Sequence, residues 1–201
     1  MKDEIAEELK NYYEQYLYLR DIYYASLDSA LAEECSDEGK PFFLMATSAC
    51  VDSYMMTLAR LFDEDGKSAK ISVLINKCKK NKDVFNNPEE VFEYLKEKGR
   101  SLKKDQGLKN AIEVIRHRRN RYFAHNDHEY FSHSRENDKA VQDESYLPAY
   151  QIWSLITFVK ELLEKLMVEL SIDPNEMQPK YNRELGYILP IIKERQISPI
   201  K

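Results

Sequence analysis

Residues 148–170 read PAYQIWSLITFVKELLEKLMVEL, and this stretch decides the fold. Tyr150, Trp153, Ile156, Val159, Leu162, Leu163, Leu166 and Leu170 recur in helical steps. At about 3.6 residues per turn they nearly encircle a helix, and such a helix belongs in the middle of a bundle. Pro148 opens it well, because the first turn has no use for the missing N–H.

The same period appears upstream. Asp3 to Glu34 places Ile5, Leu9, Tyr12, Tyr16, Leu19, Tyr23 and Ala30 at steps near a heptad. Six tyrosines fall between Tyr12 and Tyr24. Their apolar rings and water-tolerant hydroxyls suit packing in the bundle or a semi-exposed interface. After Gly39, Pro41 starts a second helix that runs to about Phe62, with Val51, Tyr54, Met55, Leu58, Leu61 and Phe62 on one face. Asp63-Glu64-Asp65-Gly66 stops it, and Ser68 is placed to cap a short third helix reaching Lys79. Asn87-Pro88-Glu89-Glu90 signals a fourth: cap, first-turn proline, then carboxylates at the positive helix end.

A fifth helix is expected from Gln106 to Ala124. Residues 126–145 are polar and aperiodic, which predicts a long loop. Beyond the sixth helix, Pro174, Pro179 and Pro190 break a tail with one kinked helix near Asn182 to Arg195. The expectation is an all-α antiparallel bundle built on the first, second, fifth and sixth helices, with extra short helices. Residues 1–171 would form the bundle, and 172–201 a helical extension packed on the same domain.

With 43% hydrophobic and 32% charged residues, the composition is that of an ordinary globular domain. Cys35, Cys50 and Cys78 lack CxxC spacing, which predicts reduced buried thiols and neither a disulfide frame nor a zinc site. The charged start Met1-Lys2-Asp3-Glu4-Ile5 predicts no leader. No uninterrupted apolar run is long enough to cross a bilayer, so a cytoplasmic protein without membrane contact is expected. No P-loop, dinucleotide-binding glycine pattern or nucleophile elbow is present, and no cofactor is expected.

The net charge of −5 argues against indiscriminate nucleic-acid binding but permits a local basic site. From Lys96 to Arg121, ten basic residues face only Glu97, Asp105 and Glu113. Lys96 to Lys109 reads as a solvated helix face, whereas Arg116, Arg118, Arg119 and Arg121 form a denser cluster. Leu108, Ala111, Ile112, Ile115, Tyr122 and Phe123 define an apolar face, and Arg119 projects within it. A guanidinium does not lose its proton, so it requires an anion there. That anion is either a carboxylate across the bundle, Asp52 or Asp63, or a phosphate. His125 either caps the helix end or moves protons near neutral pH. Asp52 itself is placed for a local ion pair with Arg60, or as support for Arg119.

Arg119-Asn120-Arg121-Tyr122-Phe123-Ala124-His125 resembles the signature of the HEPN superfamily (higher eukaryotes and prokaryotes nucleotide-binding), an arginine, often a polar residue, then a histidine. The fuller string from Ile115 to Asp127 and the second-helix Leu58-Ala59-Arg60-Leu61-Phe62-Asp63 are similar to its AbiU branch, named for abortive phage infection. The resemblance spans about Tyr12 to Leu170. It implies a homodimer with the arginine and histidine near the twofold axis, and a metal-independent endoribonuclease of phage-defence or toxin–antitoxin type. It further implies His125 as base or acid, Arg119 on the phosphate and Asn120 as an orienting group. Arg116, Arg118 and Arg121 would steer RNA, with Tyr122, Asp127, Asp52, Arg60 and Asp63 in support. A neutralising antitoxin partner is expected. Two rivals remain open on the same scaffold: a catalytically silent nucleotide- or RNA-binding module, and a helical interaction protein. A metal site from His125, His128 and His133 is disfavoured, because no HExxH or complete HD-type set accompanies them.

Overall fold

The computed structural model describes residues 1–35, 39–62, 70–120 and 147–181, with 183, 184 and 187. The described chain is all-α. It comprises α1 (Lys2–Cys35), α2 (Lys40–Phe62), α3 (Ile71–Lys80), α4 (Pro88–Lys104), α5 (Gln106–Arg118) and α6 (Ala149–Glu169), with short 3₁₀ turns at Lys82–Val84 and Pro174–Glu176. The chain divides into two compact units. The first holds residues 1–16 and 55–177, the second 17–54 and 178–201.

In the first unit α6 carries the core, with Leu155, Ile156, Val159, Leu162, Leu163, Leu166 and Met167 all buried. Tyr150 and Trp153 depart from the expected pattern: both are exposed, on a flank shared with exposed Ser154 and Glu161, while Ile152 in the same turn is buried. Along α4, Asn87, Glu90, Tyr94 and Lys98 meet Glu169, Lys165 and Glu161 of α6 in descending order, so the two helices run antiparallel. α1 and α3 are antiparallel by the same test: Glu4 and Glu8 accept from Lys77, and the Tyr12 hydroxyl donates to the Lys70 carbonyl. Of the six clustered tyrosines, Tyr12, Tyr13, Tyr16 and Tyr23 are buried, so most of the stripe packs inside the protein.

Two helix starts differ from the sequence expectation. The residue before α3 is Lys70, with no side-chain cap, and Ser68 lies outside the described residues. Asn87 precedes α4 without capping it. Its backbone N–H and side-chain amide instead donate to Glu169, at 3.0 and 3.1 Å. A carboxylate borrowed from α6 thus sits at the positive end of α4.

The second unit contains the later half of α1, the earlier half of α2 and the start of the tail. Here the tail is fixed by two buried carboxylates of α1. Asp21 accepts the backbone N–H groups of Lys180 and Tyr181 at 2.7 and 2.9 Å. Asp28 accepts the Tyr181 hydroxyl at 2.7 Å and two Arg183 N–H groups at 3.2 and 2.7 Å. The kinked tail helix expected near Asn182 to Arg195 and the loop expected at 126–145 fall largely or wholly outside the described residues.

Among the described residues, α2 alone is long and apolar enough to cross a membrane by length and composition. It carries Asp52 within its apolar run, and Tyr54, Met55, Leu58, Ala59, Leu61 and Phe62 are buried within the protein. Its other end leaves Phe42, Leu44 and Met45 exposed. Cys50 and Cys78 are free thiols, and burial, aided by Glu8, pushes Cys78 up to about 12.

Candidate functional site at the end of the fifth helix

α5 begins where the Asp105 carboxylate accepts the Leu108 backbone N–H at 3.0 Å, an N-cap placed directly against the end of α4. Ala111 and Ile115 are buried and Ile112 half-buried, so the predicted apolar face does hold α5 in place. Gln106 to Arg118 is α-helical, and Arg119 and Asn120 lie in a π-helical turn. The helix therefore changes its hydrogen-bonding at the motif, and the expected end at Ala124 lies outside the described residues. Such turns are rare and recur where a side chain must be re-aimed.

Arg119 and Asn120 are both half-buried. The guanidinium donates through Nε and Nη2 to the Asn120 side-chain oxygen, at 3.0 and 2.7 Å. Asn120 thereby holds the arginine by two of its five donors and leaves its fork oriented. Arg116 and Arg118 are half-buried on the preceding turn. Arg121, Tyr122, His125, Asp127 and Asp63 lie outside the described residues, as do His128 and His133. Asp52 is half-buried and Arg60 exposed, eight residues apart on α2. No group of three metal-ligating side chains occurs among the described residues.

A cleft of about 570 Å³ opens beside this helix end, between α3, α4 and α5, with Leu61 and Phe62 from the end of α2 also in its wall. Ile75, Leu102 and Ile112 give it an apolar floor. Lys79, Arg100, Lys103, Lys104 and Arg116 are among the cations that line it. Lys96, Arg100, Lys103, Lys104 and Lys109 are exposed, as a solvated face requires, but the sequence does not place Lys79 beside them. The missing signal is tertiary, since only the packing of α3 on α4 brings Lys79 to the same opening as Arg100.

These features define a HEPN-class helical protein. More narrowly, the chain belongs to the AbiU2 family of HEPN proteins, which it matches over residues 2–188. The match extends well into the tail, beyond the span that the motifs alone cover. No curated protein and no solved structure matches the chain.

Proposed function

We propose that this protein is a metal-independent endoribonuclease of the abortive-infection type, acting through Arg119, Asn120 and His125. The observation that carries the reading is the Arg119 guanidinium held by Asn120 in a π-helical turn, within a chain of the AbiU2 family. The chemistry fits these residue types. His125 takes the proton from an RNA 2′-hydroxyl, and the 2′-oxygen forms a bond to the adjacent phosphorus. Arg119 stabilises the added negative charge on the phosphoryl oxygens. The bond from phosphorus to the 5′-oxygen then breaks, and that oxygen receives a proton. The products are a 2′,3′-cyclic phosphate and a 5′-hydroxyl. DNA lacks the nucleophile and is not a substrate. Two chains would pair to bring their motifs together, and an antitoxin partner would restrain the activity.

The test is RNA cleavage in EDTA by wild type, Arg119→Ala and His125→Ala. Wild type should yield cyclic-phosphate ends, and each folded variant should lose about 100-fold or more. If the well-folded wild type cleaves none of several RNAs, the protein is a binding module on the same scaffold.

A further inference from the structure

We propose that the cleft between α3, α4 and α5 is a docking track for the backbone of single-stranded RNA leading to Arg119. The inference rests on the ribonuclease reading for its choice of ligand, and it adds Lys79, Arg100, Lys103 and Lys104, which that reading does not use.

The first observation is charge. The chain is acidic overall, at −5, yet cations from three helices converge on this one opening. Glu113 is the single carboxylate among the described residues lining it, and Lys109 lies 3.8 Å away from it. Lys79, Arg100, Lys103 and Lys104 have no carboxylate partner among the described residues, while Lys96, which also lines the cleft, pairs with Glu93 on its outer side at 3.0 Å. Cations at helix C-termini answer the helix dipole, which accounts for Lys103 and Lys104 at the end of α4 and Lys79 at the end of α3. It does not account for Arg100, or for two helix ends opening onto the same cleft.

The second observation is shape. The volume falls in the range of small-ligand sites and suits one or two nucleotides of a strand. The floor of Ile75, Leu102 and Ile112 offers apolar surface to an unstacked base, while the basic rim meets phosphates. The third observation is position. Arg116 lines the cleft and stands three residues, about 4.5 Å of helix rise, before Arg119. A strand leaving the cleft over Arg116 arrives at the motif.

The experiment is fluorescence anisotropy across a salt series, using a labelled RNA of about ten nucleotides with every 2′-oxygen methylated so that it cannot be cleaved. Wild type is compared with the triple variant Arg100→Gln, Lys103→Gln, Lys104→Gln, at residues exposed enough to leave folding intact. The triple variant Lys2→Gln, Lys10→Gln, Lys40→Gln is the control for net charge, since these residues are exposed and remote in sequence. The cleft variant should bind about tenfold more weakly at 0.1 M salt, with a log–log salt slope shallower by about 2, at about 0.7 per lost phosphate contact. The control should stay within about twofold of wild type. Equal binding by the cleft and control variants overturns the inference while leaving the ribonuclease reading untouched. Competition by AMP as strong as by the RNA also overturns it, because the site is then a mononucleotide pocket. Conversely, a weakened cleft variant of a protein that cleaves no RNA supports the track and sinks the nuclease.

Discussion

Glu169 shows how one side chain can join two helices. It is buried, its carboxylate accepts from Asn87 and from Lys165 at 2.9 Å, and its carbonyl accepts the Asn86 N–H at 2.9 Å. Burial opposes its charge, but Lys165 and the Asn87 donors outweigh that and hold its carboxyl below the ordinary 4.5. A carboxyl lowered in the folded state stabilises the protein above its unfolded value, and that contribution vanishes as pH falls through the folded value. Glu169→Ala should therefore cost about 2 kcal/mol at pH 7, from the unpaired Asn87 N–H and the lost ion pair. The gap from wild type, measured by urea unfolding, should narrow as pH drops below 4.5. A gap that is constant from pH 7 to pH 3 would show that the carboxylate's charge contributes nothing.

At the level of elements, the end of α6 supplies a separate test. The Ile172 N–H donates to the Met167 carbonyl and the Ser171 N–H to the Val168 carbonyl, both at 2.9 Å, which is a Schellman ending. Its left-handed position is Ser171, at φ 63°, where glycine is the usual occupant. Ser171→Gly relieves that strain and gives up the bond from Asn86 to the serine hydroxyl. The net effect should be a rise in Tm of about 2 °C in a scanning calorimeter, from a gain of about 0.5–1 kcal/mol. A lower Tm would mean that the Asn86 bond outweighs the backbone strain. Much of this level was legible in advance. The repeat from Ile156 to Leu166 marked α6 as central because a helix apolar on most faces has one stable location. The start of α4 was legible at Pro88, but not the capping, because Glu169 comes from 82 residues away. The π-helical turn at Arg119 was invisible for a related reason: nothing in the residue types at 119 and 120 separates it from a regular turn. Tyr150 and Trp153 misled because a helix apolar on most faces does not say which flank stays in water, and Ile152 between them is buried.

For the molecule as a whole, the open prediction is its assembly. The proposed reaction brings two copies of the motif together, and this chain leaves Phe42, Leu44 and Met45 at one end of α2 exposed to water. Sedimentation equilibrium should return twice the chain mass of 23.8 kDa. A single-chain mass at micromolar concentration would mean that Arg119 and His125 act, if at all, within one copy. The charge of −5 is also a property of the whole, and it sharpens what the cleft does. If the cleft takes RNA as proposed, an acidic surface around it would disfavour binding elsewhere and confine a strand to the gathered cations.

The tail clamp has a consequence for how such a chain changes over time. Asp21 and Asp28 are buried on α1, and the groups that satisfy them come from Lys180, Tyr181 and Arg183. Arg183 is held at φ 61°, a backbone conformation that a non-glycine residue adopts only under such restraint. Losing the tail would leave Asp28 buried without these donors and Asp21 with its ion pair to Arg20 at 3.2 Å. A substitution at position 28 therefore removes the acceptor that Tyr181 and Arg183 share, so one change in the helix is felt at two positions of the tail.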